Sequence, residues 1–535
     1  MSIRRSLVGG AAVVTLAIFG SSAGQAQTAK QIESQMQTLQ AQIQSLQSQL
    51  QSLQGQVQSA QAQAQAAKEA AAAGKGSTPA GNAPKVTETR NHHFGLSSAD
   101  GRNTVELTGR LNVDVGDYLH YAPNAGTVDK QMAAGINLRR ARIGVTGVWE
   151  EDFRYALIYD FGGSSDSLNP NNAFANGNSG TSPTTSNSAL SGVENAFITY
   201  NGLYQHGQQF PIAIDFGIMD VPWTMDEATS SNDIMFMERS SSQVVATAFG
   251  GGDSRSAFGV RSNDKNYWIG AYLTGPQSGA LHTDGASCVT AAPIAGTPCV
   301  AAASGHGPQF SFLARGAYTF EVAPDLQLHI GANFADLFRP RGSGNAATIT
   351  LSDRPELRID PSVLLTTGAI PSTGGFVEGG EAAVAWDHLF VQGEYYHYSV
   401  DRTAPLTNLS FNGGYGQASW TFGGKRVYNP AQGAWTGVVP DAPLAWNGSG
   451  WGALEVGVRY SIVDLNSGNP LACAGTCLIG GEQTTYGIGI NYYPNYNMRF
   501  MFDYEHGNLN KPGVGAALPT GAKFDWIAAR AQIQF

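Results

Sequence analysis

The chain has 535 residues, a net charge of −10 and 13% charged side chains, whereas soluble domains carry roughly a quarter. This composition argues against a soluble multidomain enzyme, and the acidic balance argues against nucleic acid as a partner. The mean hydropathy of −0.17 is expected where apolar and small polar residues alternate. Outside the N-terminus, the sequence contains no apolar run long enough for a membrane-spanning helix.

The N-terminus, residues 1–26, has the pattern of a secretory signal peptide. Arg4 and Arg5 form a basic start, Leu7 to Phe19 form an apolar core, and Gly24-Gln25-Ala26 is a small-residue cleavage site. A permanent N-terminal membrane anchor is the alternative, but the apolar core is short for one. We therefore predict an exported protein.

A Gln/Ala-rich stretch follows over residues 27–73. Its apolar residues recur at steps of four and three: Met36, Ile43, Leu50 and Val57 at one core position, and Leu39, Leu46 and Leu53 at the other. This spacing holds over about five heptads and predicts an α-helical coiled coil, with a disordered low-complexity linker as the alternative. A coiled coil implies self-association, and a homotrimer would fit. Residues 74–102, rich in small residues and containing proline, are predicted to be a linker.

The last residues of the chain predict the architecture of the rest. From Phe524 to Phe535, apolar side chains alternate with mostly polar ones, and Asn497 to Glu505 repeats the alternation with aromatic residues. Successive side chains of a strand point to opposite faces. An apolar face opposite a charged one suits a barrel wall with lipid outside and water inside. A terminal strand that pairs with the first strand would close the sheet.

The same alternation predicts about sixteen strands, an even number as bacterial barrels have. Besides the last two, they lie near 104–117, 133–149, 153–161, 191–203, 210–219, 255–264, 265–274, 309–321, 325–338, 375–386, 388–400, 411–422, 451–465 and 482–493. Short turns alternate with long Gly/Ser/Asn-rich loops, except that 423–450 is long where a short turn is due. We predict an all-β chain: a transmembrane antiparallel β-barrel over residues 103–535, preceded by the coiled coil.

Several segments of this predicted barrel resemble a known family. They are LRRARIGVTG at 138–147, YALIYDF at 155–161, ENAFITYNGL at 194–203, TSSNDIMFMERS at 229–240, WGALEVGVRYS at 451–461 and NYYPNYNMRFMFDYE at 491–505. Together and in this order, they resemble the phosphate-selective porins O and P, over roughly Asn103 to Phe535. The resemblance implies a trimeric outer-membrane porin of sixteen strands, whose third external loop, here Asp220 to Ser254, folds into the pore. It also implies that Phe535 marks the last strand for the assembly machinery.

The strand alternation turns a set of arginines toward the lumen. Rings of charged side chains set the selectivity of a wide pore, and the resemblance implies that lumen arginines attract anions. The pore-lining candidates are Arg110, Arg140, Arg142, Arg154, Arg459 and Arg499. Alternatively, lumen carboxylates such as Asp114, Asp160 and Glu455 neutralise most of them. Arg140 and Arg142, two residues apart on one strand, are the best candidates for binding an ion.

The predicted constriction loop departs from the family's basic pattern. Its charged residues are Asp220, Asp226, Glu227, Asp233 and Glu238, and the first basic residue is Arg239. An acidic loop in the lumen would oppose phosphate and favour cations or neutral solutes. Alternatively, some of these carboxylates cap a helix or bond the wall.

The four cysteines form two local pairs in loop-like sequence, Cys288 with Cys299 and Cys473 with Cys477. In an exported protein, this spacing favours two disulfides over a metal site, since no histidine clusters with them. We find no nucleophile elbow, HExxH helix or P-loop, and we expect no cofactor and no catalytic activity.

These observations predict a passive outer-membrane channel for small hydrophilic solutes, with anions such as phosphate or polyphosphate as the substrates that the resemblance implies. Its predicted partners are outer-membrane lipid, further copies of itself and, through a periplasmic coiled coil, the cell wall. The alternatives are a barrel enzyme of the outer membrane and a structural tether to the cell wall.

Overall fold

The computed structural model describes residues 83–88, 94–123, 132–162, 192–205, 208–209, 211–276, 309–340, 347–445, 448–470, 477–514 and 517–535. The predicted signal peptide and coiled coil, and most of the predicted linker, lie outside the described residues. Those three assignments stay predictions.

Within these ranges the chain forms strands and two short helices. The strands are β1 (Lys85–Glu88), β2 (Phe94–Ser97), β3 (Thr104–Pro123), β4 (Gly135–Trp149), β5 (Phe153–Asp160), β6 (Val193–Tyr200), β7 (Tyr204–Gln205), β8 (Gln208–Gln209), β9 (Ile212–Asp220), β10 (Ser254–Asn263), β11 (Tyr267–Pro276), β12 (Phe310–Ala323), β13 (Leu326–Arg339), β14 (Thr348–Asp353), β15 (Leu365–Pro371), β16 (Gly374–Trp386), β17 (Leu389–Asp401), β18 (Leu409–Phe422), β19 (Gly424–Asn429), β20 (Ala434–Pro440), β21 (Ala453–Ser467), β22 (Leu478–Asn495), β23 (Met498–Lys511) and β24 (Thr520–Gln534). The helices are α1 (Met225–Ala228) and α2 (Ser241–Gly250).

In the described part of the chain, sixteen strands form one closed antiparallel ring. The sheet has eighteen strands, of which two lie outside the ring: β2 pairs with the start of β3, and β1 pairs with β2. The ring consists of β3–β6, β9–β13, β16–β18 and β21–β24. It closes where β24 pairs with β3, from Ala522 opposite Pro123 to Gln534 opposite Arg110. The prediction of about sixteen strands, closed by the last one, is confirmed.

The outer face of the ring is apolar. Ile269 is 56% exposed, and Phe216 (65%) and Val115 (50%) are exposed although both lie in the middle of their strands. Their sequence neighbours Asp215 and Asp114 point inward and are buried. Large apolar side chains left open around a wall are stable against lipid rather than water. The outer face therefore fits a membrane.

A bulge interrupts the alternation in β4. Asn112 of β3 is opposite Arg140 and Val113 is opposite Leu138, so Arg139 is an extra residue with no counterpart on β3. A bulge of this kind turns two consecutive side chains to the same face. Arg139 and Arg140 are both buried inside the ring, whereas strict alternation would place Arg139 outside.

Three inserts enter the ring. The lumen loop (residues 221–253) carries α1 and α2, and the upper hairpin (β14–β15) belongs to the same, long-loop end of the ring. The lower hairpin (β19–β20) enters from the opposite, short-turn end. It occupies 424–440 and accounts for the long connection that broke the predicted alternation of loop lengths.

An apolar core lies inside the ring rather than outside it. Trp223 and Phe249 of the lumen loop pack in a cluster with Tyr398 and with inward side chains of β11–β13, β16–β18 and β21. Ser240 caps the start of α2, and Gly251, with φ of 99°, ends it in a left-handed conformation that glycine adopts without strain. Among the described residues, no helix has both the length and the apolarity to span a membrane. The lumen loop thus fills one side of the lumen and leaves the side of β3–β10 polar.

Candidate functional site: a polar cavity beside the lumen loop

A cavity of about 590 Å³ lies on the polar side of the lumen. Arg110, Arg142 and Glu194 line it from the wall, and Ser231 and Trp435 line it from the lumen loop and the lower hairpin. The cavity exists because the apolar residues of the lumen loop pack against the opposite strands. This cavity and the arginines of β3 and β4 form the candidate site.

Two of the predicted pore-lining arginines hold the lumen loop. Arg499 donates from Nη1 to the carbonyl oxygen of Asn232 (3.1 Å) and from Nη2 to that of Met235 (3.1 Å). Arg459 donates to the carbonyl oxygen of Glu238 (2.7 Å) and also forms ion pairs with Glu356 (2.6 Å) and with Glu505 of β23. Arg530 of β24 likewise donates to the carbonyl oxygen of Met237 (2.6 Å). These guanidinium groups satisfy backbone acceptors of the loop, so their charges are committed to positioning it.

Arg142 and Arg154 differ from this pair. Arg142 forms ion pairs with Asp160 (2.8 Å) and Glu194 (2.5 Å), and so follows the prediction that wall carboxylates neutralise wall arginines. Arg154 is exposed near the short-turn end of β5. Neither offers a buried and unshared positive charge.

Arg110 and Arg140 form no ion pair among the described residues. Arg140 is 6% exposed, and its Nε and Nη1 have no hydrogen-bond partner there. Asn112, which faces Arg140 across β3 and β4, is fully buried with both amide atoms likewise without partners. Arg110 contacts only hydroxyl groups of the loop, with 2.7 Å from its Nη1 to Oγ of Ser231. The structure therefore brings two guanidinium groups that have no carboxylate partner among the described residues, and one amide without partners there, to adjacent positions.

The carboxylates of the lumen loop are mostly bound to arginines. Glu238 accepts from Arg139 at 2.8 and 2.9 Å and from Arg530 at 2.9 Å. Glu227 pairs with Arg255, and Asp226 lies 3.4 Å from Arg239. Asp220, at the end of β9, and Asp233 line the cavity.

Local hydrogen bonds fix the conformation of the lumen loop around α1. The hydroxyl of Thr224 accepts from the backbone N–H of Glu227 (3.0 Å), and Glu394 of β17 accepts from the N–H groups of Met225 (2.8 Å) and Asp226 (2.9 Å). Arg239 donates to the carbonyl oxygens of Asp226 and Thr229. This geometry thus matches the alternative in which the charged residues of the loop have structural roles.

Burial and neighbouring arginines shift the pKa values of the loop carboxylates in opposite directions. Burial raises the pKa of Asp226 despite Arg239, and it raises the pKa of Asp233 despite Arg426. Burial also acts on Glu238, but Arg139 and Arg530 outweigh it and hold the pKa of Glu238 well below its usual range. Glu238 thus stays charged under conditions in which Asp226 and Asp233 begin to take up protons.

Sequence reasoning missed Arg139 and Asn112. The alternation did turn Asn112 inward, but no sequence signal marks its lack of partners. Cys477 is disulfide-bonded, while Cys288, Cys299 and Cys473 lie outside the described residues, so both pairings stay predictions. Within the described ranges, no group of three or more His, Cys, Asp or Glu side chains is placed to hold a metal ion.

A model of the family described as "Phosphate-selective porin O and P" matches residues 105–535, the whole ring. The chain belongs to this family. The resemblance seen in the sequence is confirmed, and the closed barrel is that of a passive channel in the outer membrane. The short turns of this porin face the periplasm and its long loops face outward.

The porin is also similar to individual proteins. It is 24% identical over 415 residues to an uncharacterized protein of Caulobacter vibrioides, and the matched region covers 76% of this chain and 68% of that protein. Among solved structures, OmpT of Vibrio cholerae in its trimer form shares 12% identity (81% and 99% of the two chains, TM-score 0.43). An anion-selective porin from Comamonas acidovorans shares 11% identity (81% and 100%, TM-score 0.42). At these TM-scores, the structural likeness carries no argument about selectivity or assembly.

Proposed function

We propose that this porin prefers small hydrophilic anions and that Arg110, Asn112 and Arg140 form its anion site. The observation that carries the proposal is the buried Arg140 guanidinium, whose Nε and Nη1 have no partner among the described residues. Burying an uncompensated charge costs several kcal/mol, and an anion bound there would offset much of that cost. A guanidinium group offers paired N–H donors that suit phosphate or carboxylate oxygens.

The charges of the lumen loop support the same preference. An acidic loop would repel anions if its carboxylates were free, but Glu238, Glu227 and Asp226 each face an arginine. Arg110 and Arg140 form no such pair with a described carboxylate. Phosphate and polyphosphate fit this chemistry, and the cavity of about 590 Å³ has room for larger solutes. The heptads of residues 27–73 support self-association through a periplasmic coiled coil. We propose that the assembly is a homotrimer and that the coiled coil also contacts the cell wall.

Reversal potentials of the porin in planar bilayers, measured across a salt gradient, test the proposal. We expect wild-type porin to prefer anions. In Arg140→Ala and Arg110→Ala, the anion-to-cation permeability ratio should fall about fivefold, or about 1 kcal/mol, because a positive charge that no carboxylate neutralises leaves the inner wall of the barrel.

Lys265→Ala is the control. It removes the same charge from an exposed turn between β10 and β11, outside the lumen, and should leave the ratio unchanged. Cation preference in the wild type, or an Arg140→Ala ratio equal to that of the control, would reject the anion site.

A further inference from the structure

The lumen loop and the lower hairpin enter the barrel from opposite ends and meet inside it. Met225 and Phe236 of the loop pack in one apolar cluster with Trp435 of the hairpin. Arg426 of β19 donates to the carbonyl oxygen of Asp233 in the loop (2.7 Å), while its Nε and Nη2 bind the carboxylate of Glu455 on the wall (2.7 and 3.0 Å). Both inserts line the same cavity.

A single wall arginine joins the two inserts from the other side. Arg315 of β12 donates from Nη1 to the carbonyl oxygen of Pro222 (3.2 Å), near the start of the lumen loop. The same guanidinium donates to the carbonyl oxygens of Gln432 (2.9 Å) and Gly433 (2.6 Å), at the tip of the lower hairpin. Its remaining N–H groups bind Glu381 of β16, at 2.7 and 3.1 Å. All five donors of Arg315 thus have acceptors, on two inserts and one strand.

The surroundings of Arg315 hold it in this orientation. Its guanidinium carbon lies 5.3 Å from the ring centre of Trp268, and its side chain is fully buried. His329 lies between Glu381 (2.9 Å) and Thr319 (3.0 Å), and its ring contacts Trp435 edge-on at 5.2 Å. Thr319, His329 and Glu381 are joined by hydrogen bonds in the hydroxyl–imidazole–carboxylate sequence of a hydrolase triad. However, the Thr319 hydroxyl lies in a residue only 3% exposed, so no solute can reach it, and the cluster supports the hairpin instead.

We propose that Arg315 is a positioning residue of the channel, which holds the external lumen loop and the periplasmic hairpin together as one constriction. The width of the pore is then set from both sides of the membrane, and the hairpin is as much a part of the constriction as the loop. The proposal requires a channel but does not depend on its preference for anions.

Single-channel conductance of Arg315→Met tests this role. Met keeps an apolar stem of similar length but cannot donate to Pro222, Gln432 and Gly433, so both inserts lose a shared anchor. We expect conductance to rise by about twofold or more, because conductance follows pore diameter, and the open current to become noisier. Trypsin should also gain access to the bond after Arg426, which is buried in the wild type.

Arg261→Met is the matched control. Arg261 lines the cavity from β10 and is paired with Asp215 of β9 (2.9 Å). Its hydrogen bonds go to Asp215 and Asn263, which both belong to wall strands and not to either insert. If loss of positive charge alone changed the conductance, both variants would behave alike, and the positioning role would be rejected.

A second variant covers failure of Arg315→Met to fold. Replacing residues 425–439 by a short Gly-rich turn removes the hairpin and leaves Arg315 paired with Glu381 and Pro222. Folding is checked by the heat-dependent shift of the barrel on gels. A conductance at least about twofold above wild type in the folded variant supports the shared constriction, and an unchanged conductance overturns it.

Discussion

Glu238 is the carboxylate on which the arginines of the lumen converge. Arg139 and Arg530 bind it directly, and Arg358, in the connection between β14 and β15 of the upper hairpin, approaches to 3.9 Å. Its side chain is only 5% exposed, so water does not screen these charges. The bulge in β4 is what brings Arg139 within reach of Glu238, since regular pairing would turn that side chain toward lipid. One backbone irregularity therefore anchors the middle of the lumen loop.

We expect Glu238→Gln to lower the free energy of unfolding by about 3–5 kcal/mol, because two buried guanidinium groups lose their shared charged partner. Urea-unfolding midpoints of the detergent-solubilised barrel measure the change. Because the pKa of Glu238 is depressed in the folded state, its contribution is present at neutral pH. It is lost as the pH falls below the usual value toward the folded one.

Glu150→Gln is the comparison for that measurement. Glu150 pairs with Arg102 at 2.8 Å, but both side chains are more than 40% exposed. Removing this pair should cost about 0–1 kcal/mol, as for other surface pairs. Equal costs for the two substitutions would mean that Glu238 does not anchor the lumen loop.

At the scale of a single element, the lumen loop carries charges that respond differently to pH. Burial raises the pKa of Asp226 and of Asp233, whereas Glu238 keeps its charge to lower pH. On acidification from neutral pH, Asp226 and Asp233 are thus protonated before ordinary carboxylates are. The loop then loses negative charge while the guanidinium groups of Arg110 and Arg140 keep theirs.

We therefore expect the anion preference of the channel to rise as the pH is lowered from 7 toward the usual carboxylate range. Reversal potentials measured at a series of pH values would show it. In Asp226→Asn/Asp233→Asn, the rise should be smaller, because two carboxylates with raised pKa values are gone, while Glu227, whose pKa burial also raises, remains. A pH profile identical to that of the wild type would show that neither carboxylate senses the solute.

The wall strands could be predicted from sequence because lipid on one side and polar side chains on the other impose a strict period of two. Phe500 and Phe502 alternate with Arg499 and Met501 for this reason, and β23 is where the alternation predicts it. The lower hairpin could not be predicted, since its strands also alternate. Its contacts with residues distant in sequence, with Arg315 and Glu455 on the wall and with the lumen loop, place it inside the ring. The committed charge of Arg499 was likewise invisible, because its partners lie more than 200 residues away along the chain.

At the scale of the whole molecule, the two ends of the barrel sequence meet at one point. The N–H of Gly109 donates to the carbonyl oxygen of Phe535 (2.8 Å), and the N–H of Phe535 donates to that of Gly109 (3.1 Å). The ring of Phe535 lies directly over Gly109, so that a Cβ at this position would come within 2.3 Å of the ring. β2 continues the line of β24 along β3, with Gly95 opposite Glu106. The terminal residue therefore closes the seam against a glycine that leaves room for it.

We expect Gly109→Val to destabilise the barrel by about 1–3 kcal/mol, because it displaces the Phe535 ring from the seam. The melting temperature of the heat-modifiable band measures this effect. Gly316→Val is the control: it places the same side chain on the outer face of β12, where nothing lies within 4 Å, and valine suits a strand. In the Phe535→Ala background, Gly109→Val should cost little, because the ring it displaces is already gone, so the two substitutions should not be additive. Additive costs would show that Gly109 and Phe535 stabilise the barrel independently, and that the seam does not depend on their contact.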